Sequence, residues 1–205
     1  MTSSPFDAVL CDFDGVIRHF DQSELAVLER GAGLPEGSTY AAAFAPEVAQ
    51  PLILGRLTKH RWADLIADSL TARTDAATAR GLASAFTTTP VHADAVVVAL
   101  LREVRLRCPL VLVTNGTPWT DQGLADLGLT DLAHHVVNSA VFGSAKPEPA
   151  IYHHASALAG AAPDRCLFID DSPKNVTAAT ALGMTGHHYT TPDGLRTALA
   201  PLLTA

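Results

Sequence analysis

Ala8-Val9-Leu10-Cys11 is an apolar run with no polar alternation, the pattern of a strand buried on both faces of a parallel sheet. It ends abruptly in Asp12-Phe13-Asp14-Gly15. Pro109-Leu110-Val111-Leu112-Val113, His135-Val136-Val137-Asn138 and Cys166-Leu167-Phe168-Ile169 repeat the design, each followed by polar residues and then a helical pattern. Pro118, Pro147, Pro149 and Pro173 stand where a first helical turn tolerates proline, and Gly128, Gly160 and Gly183 can close the helices. This alternation predicts a doubly wound, Rossmann-like α/β parallel sheet, in which binding residues gather at the carboxyl ends of the strands.

Between residues 18 and 90 the alternation stops. Residues 21–30, 58–71 and 75–86 read as helices, with Thr58 and Asp75 as N-caps, whereas 33–50 is rich in Ala, Gly and Pro and shows no clear period. The expected organisation is an α/β core from residues 1–17 and 91–205, with 18–90 inserted between the first strand and the rest of the sheet as a helical cap, or lid.

Composition narrows the function. A chain of 205 residues that is 48% hydrophobic and 17% charged is globular, with room for a core and a smaller insert. Its formal charge of -7 disfavours sequence-independent attraction to nucleic acid or to an anionic membrane, so any phosphate must be met locally. Cys11, Cys108 and Cys166 lie far apart beside apolar runs, which fits reduced, buried thiols. The first residues lack a basic, apolar leader, and no run of about 18 apolar residues occurs, so a cytoplasmic protein without a membrane span is expected.

The predicted sheet brings Asp12/Asp14, Thr114-Asn115-Gly116, Lys146-Pro147 and Asp170-Asp171 to one edge. These supply a nucleophile, an acid/base, hydroxyl and amide donors, a cation and a carboxylate pair, the inventory for metal-assisted phosphoryl transfer. Asp12 and Asp14, two residues apart on extended chain, point to the same side. Carboxylates repel a phosphate dianion unless a hard cation intervenes, and the oxygen ligands Asp12 and Asp171 suit Mg²⁺. Asp12 can then attack phosphorus while Asp14 protonates the leaving oxygen and later accepts a proton from water. The Thr114 hydroxyl and the N–H groups of Asn115 and Gly116 can hold the phosphate oxygens, and Lys146 can neutralise charge.

The chain resembles haloacid dehalogenase superfamily hydrolases of the subfamily with a helical cap after the first motif, in their phosphatase branch. The resemblance rests on Asp12-Phe13-Asp14-Gly15-Val16, Thr114-Asn115-Gly116, Lys146-Pro147-Glu148-Pro149 with Ile151-Tyr152, and Phe168-Ile169-Asp170-Asp171-Ser172-Pro173-Lys174-Asn175-Val176, in the family's order and spacing. It implies that Asp12 is the nucleophile, that Asp14 is the acid/base whose main-chain carbonyl also ligates Mg²⁺, that Asp171 is the metal carboxylate and that Lys146 is the charge neutraliser. Asp170 stands where many members have Gly, and is a further candidate ligand; Asn175 replaces a second Asp and is read as orienting the ligands. Members that cleave carbon–halogen bonds lack an acid at the position of Asp14, so the resemblance implies a phosphatase for a small phosphorylated metabolite such as a sugar phosphate, working as a monomer or homodimer. The alternatives are a sugar phosphomutase and a non-catalytic phosphate-binding module. The pairs His134-His135, His153-His154 and His187-His188 read as solvated or core-edge residues, because neighbours on a strand or helix diverge. Arg56 and Lys59-His60-Arg61 read as solvated cap surface, and Trp62 as packing.

Overall fold

A computed structural model describes residues 5–203; the residues on which the absence of a leader partly rests, 1–4, lie outside them. The chain forms two compact units, one running up to His19 and resuming at Ala93, the other spanning Phe20–His92. In chain order, β1 (Ala8–Cys11) and β2 (Arg18–Phe20) precede the helices α1 (Ser23–Gly31), α2 (Ser38–Ala43), α3 (Pro46–Ile53), α4 (Lys59–Leu70) and α5 (Ala76–Thr87). There follow β3 (Val91–Ala93), α6 (Ala95–Arg105), β4 (Leu110–Thr114), α7 (Thr120–Asp126), β5 (His135–Asn138), α8 (Ser139–Phe142) and α9 (Pro149–Leu158). The described chain closes with β6 (Cys166–Asp170), α10 (Pro173–Ala181), β7 (Thr185–His188) and α11 (Pro192–Leu203).

The first unit is a parallel sheet of order β5-β4-β1-β6-β7, with Leu10 opposite Val111 on one side and Phe168 on the other. Side chains alternate across each central strand, which divides the core in two. Val9, Cys11, Leu110, Leu112, Leu167 and Ile169 pack with Val97, Leu100 and Leu101 of α6 and Leu195 and Leu199 of α11. Ala8, Leu10, Val111, Val113 and Phe168 pack on the other face with Ile151, Tyr152 and Ala155 of α9 and Ala179 of α10. Burial on both faces is why these strands read as unbroken apolar runs.

β7 escapes that pattern. Thr185-Gly186-His187-His188 is a polar edge strand, admitted because Gly186 lets α10 close in: a Cβ there would lie 2.6 Å from Val176 Cγ1. Two short strands also escaped: β2 and β3 pair as a ribbon where the chain leaves and re-enters the first unit. In the helical unit, Thr58 and Asp75 cap α4 and α5 by accepting hydrogen bonds from Arg61 N at 3.1 Å and Ala77 N at 2.9 Å. The region without a clear period holds α2 and most of α3; the start of α2 is tied in by the buried Glu29 carboxylate, which accepts from Gly37 N (2.7 Å) and Thr39 N (2.6 Å). Trp62 is buried among Phe44 and Phe86 and donates to Ala43 O at 3.1 Å, a packing role, while Arg56, Lys59, His60 and Arg61 are exposed.

Candidate active site

β1, β4 and β6 end side by side, and their last residues hand the chain to the polar segments. Asp12 N donates to Ile169 O at 2.8 Å, so the first site residue is still held by the sheet. Its buried carboxylate accepts from Phe13 N at 2.7 Å through Oδ1, the same oxygen that lies 2.8 Å from Lys146 Nζ. Lys146 Nζ also lies 2.7 Å from Asp170 Oδ2, bridging two carboxylates with its side chain 1% exposed. Asp170 is fully buried and engaged at both oxygens: Ser172 N donates to Oδ1 (2.8 Å), and Asn175 Nδ2 reaches Oδ1 (3.0 Å) and Oδ2 (3.2 Å). Asn175 thus orients Asp170, which in turn holds Lys146.

Lys146 lies several residues beyond the end of β5, past α8, and Asn115 explains how it arrives. The Asn115 side-chain amide accepts from Lys146 N at 2.7 Å and donates to Lys146 O at 2.8 Å, a paired clamp from the end of β4 to the lysine's own backbone. Thr114 is buried at the end of β4, and Gly116 follows in a space that admits no side chain: a Cβ would collide with Thr120 Oγ1 and lie 2.9 Å from Asn138 Oδ1. Thr120 Oγ1 accepts from Thr117 N and donates to Thr117 O, both at 2.9 Å, and Asn138 Nδ2 donates to Thr117 O at 2.8 Å. The Thr114-Asn115-Gly116 segment therefore rests on a braced turn.

Gly15 takes a positive φ of 82°, where glycine alone is unstrained, and a Cβ there would collide with the Asp171 carboxylate. Asp171 is exposed, with His188 Nε2 3.0 Å from its main-chain oxygen. Ligand atoms of Asp12, Asp170 and Asp171 lie within 4.8 Å of one another. Asp14, partly exposed, is gripped by Arg18, whose Nε lies 2.6 Å from Oδ1 and Nη2 2.9 Å from Oδ2.

With this geometry in place, a family model described as haloacid dehalogenase-like hydrolase matches residues 6–183. The chain belongs to that family of hydrolases. A sesquiterpene phosphatase of Aspergillus oryzae is 32% identical over 115 residues, 55% of this chain and 58% of that protein, so the chain matches little more than half the relative's length. A haloacid dehalogenase (HAD) family hydrolase of Deinococcus radiodurans, solved with bound phosphate and sodium, is 26% identical with a TM-score of 0.62 over 97% of this chain and 96% of that one. A HAD family enzyme of Bacteroides thetaiotaomicron, solved with magnesium and inorganic phosphate, shares the fold at a TM-score of 0.68 and 19% identity, over 90% of this chain and 94% of that one.

The electrostatics of this haloacid dehalogenase-like hydrolase favour a bound cation. Asp12 and Asp170 share the single ammonium of Lys146, and a carboxylate oxygen of Asp171 lies within 4.8 Å of theirs. Burial, joined by the charge of Asp170, pushes Asp12 up to about 8 against the pull of Lys146. Asp171 is raised as well, by burial and then by Asp170. Burial works against the Lys146 cation, but Asp12 and Asp170 outweigh it and raise its pKa, so Lys146 stays protonated. An all-oxygen donor set with uncompensated negative charge, one member open to solvent, fits a hard cation that keeps part of its water shell.

Sequence reasoning assigned no role to Arg18, Thr120 or Asn138. Asn138 carried a signal, a polar residue at the end of an apolar strand; Arg18 and Thr120 make local contacts, with Asp14 four residues back and Thr117 three residues back, inside turns that no periodicity marks. Among the histidine pairs, His134 Nδ1 accepts from Leu110 N at 3.0 Å and the His154 ring stacks on Phe142 with centroids 4.5 Å apart, while His135 and His153 are exposed.

Proposed function

We propose that this hydrolase is a Mg²⁺-dependent phosphatase acting on a small phosphorylated metabolite, a sugar phosphate or similar phosphomonoester, through an aspartyl-phosphate at Asp12. The observation that carries the reading is the buried Asp12 carboxylate held by Lys146, with Asp171 beside it and a second carboxylate, Asp14, two residues on. The sesquiterpene phosphatase name of the relative supports phosphate-ester chemistry.

Asp12, Asp171 and the Asp14 main-chain carbonyl would hold the ion, whose charge lets carboxylates and a phosphate dianion share the site. Asp12 attacks phosphorus and Asp14 protonates the departing oxygen. Asp14 then takes a proton from the water that attacks phosphorus and frees Asp12. Lys146 offsets charge on Asp12 and on the transferred group, and the Thr114 hydroxyl with the N–H groups of Asn115 and Gly116 meets the phosphate oxygens. Asp170 keeps Lys146 in place. The inserted helical unit is assigned the choice of substrate, the working unit is a monomer or homodimer, and the compartment is the cytoplasm. Among the described residues no helix is long and apolar enough to cross a membrane.

Phosphate release from sugar phosphates, nucleotides and isoprenoid phosphates, with Mg²⁺ and with EDTA, tests the reading. Mg²⁺-dependent release is expected. Isomerisation of a hexose 1-phosphate, primed by a bisphosphate and without stoichiometric phosphate, would make the protein a mutase; inertness toward every ester would leave a phosphate-binding module.

A further inference from the structure

Asp14 is held in an unusual way for a group assigned to carry protons. Arg18 meets both its oxygens with two separate nitrogens, the planar fork that binds a carboxylate with fixed orientation. The arginine is itself confined. Its side chain is 11% exposed, its guanidinium carbon sits 4.6 Å over the Phe13 ring centroid, and Nη1 lies against Gly123 of α7, where a Cβ would come within 2.6 Å. The intervening turn is fixed by main-chain bonds from Gly15 N to Arg18 O and from Arg18 N to Phe13 O, each 2.9 Å. Exposed ion pairs usually contribute little, but here a ring, a helix backbone and a closed turn hold the fork at one angle.

We propose that Arg18 is the positioning residue of the acid/base step: it sets the direction in which Asp14 presents its carboxyl to the leaving oxygen. The inference rests on the phosphatase reading above. Arg18 neither gains nor loses a proton. As the bond from Asp12 to phosphorus forms and the ester P–O bond breaks, the proton passes from Asp14 to the departing oxygen; as water attacks, a water proton returns to Asp14 and the bond to Asp12 breaks. Gly123 belongs to the same device, because any larger residue would push the guanidinium aside.

The test compares kcat/KM for β-glycerol phosphate, whose alkoxide needs a proton, with that for p-nitrophenyl phosphate, whose leaving group does not. General acid catalysis is commonly worth about 10²- to 10⁴-fold, so Arg18→Gln should lose roughly tenfold to a hundredfold on the alkyl ester and no more than about threefold on the aryl ester. Arg18→Lys, which keeps the charge without the fork, should fall between. Gly123→Ala, which alters no charged group, should show the same selectivity to a smaller degree and keeps the test open if the Arg18 variants fail to fold. An equal loss on both esters, or no loss, overturns the assignment and leaves the phosphatase reading standing. No phosphate release by the wild type from either ester overturns that reading, and the role of Arg18 with it.

Discussion

Lys146 stands between Asp12 and Asp170 with almost no exposed surface, so each member of the trio is tolerable only because the others are there. Removing one partner of a buried pair typically costs about 3–5 kcal/mol, since a charge is left without compensation. Lys146→Met should lose stability on that scale in urea titration; a midpoint within error of the wild type would contradict the bridging role. The same crowding makes stability depend on pH. Asp12 has its folded pKa raised to about 8 from an ordinary value near 3.8, so between those values the folded state binds the extra proton and stability falls as pH rises. Lys146 is raised too, and its contribution is lost only above the ordinary lysine range, outside this window. In EDTA, the thermal midpoint should therefore fall from pH 5 to pH 8, with a flatter slope in Asp12→Asn. Millimolar Mg²⁺ should stabilise the wild type more at pH 8 than at pH 5. Equal slopes in the two proteins would place the titrating group elsewhere.

At the scale of elements, the site is a set of strand ends braced by the turns that follow them. Gly116 shows how tightly: Thr120 and Asn138 leave no room for a methyl group. Gly116→Ala should cost about 1–3 kcal/mol of stability, the usual penalty for overpacking, and raise KM for any phosphate ester as the turn shifts. Unchanged stability and KM would show that the turn can relax. Most of the strands that sequence revealed are uniformly buried: β1, β4 and β6 are apolar because both faces are covered, while β5, half exposed, was marked by its Val136-Val137 pair, and α4 and α5 announce themselves through Thr58 and Asp75. β7 was hidden because an edge strand needs no apolar run, and α2 because it is short and its anchor, Glu29, is a carboxylate on another helix serving its first backbone N–H groups. The site divides in the same way. Asp12, Asp14, Asp170 and Asp171 were legible as polar residues at strand ends. The Asn115 clamp on Lys146 and the Asn138 brace were not, because each is a contact between residues more than twenty positions apart with no characteristic spacing; the Arg18 fork is local, four residues from Asp14, but it forms on an irregular turn and not on a helix, where that spacing would have announced it.

For the molecule as a whole, the net charge of -7 and the carboxylate-lined site pose one problem for the proposed phosphatase activity: a phosphate ester would have to reach a place that repels it. Lys146 and a bound cation would answer it locally, where the general field of the protein would not. The proposed chemistry turns on the Asp12 carboxylate as the nucleophile that takes the phosphoryl group. The most direct measurement is acid-quenched labelling with a ³²P-phosphoester in Mg²⁺, followed by mapping of the labelled peptide, on the wild type and on Asp12→Asn. The account predicts label on the peptide that contains Asp12 in the wild type, and neither label nor phosphate release in the variant. Steady phosphate release by Asp12→Asn, or label at another residue, would contradict it.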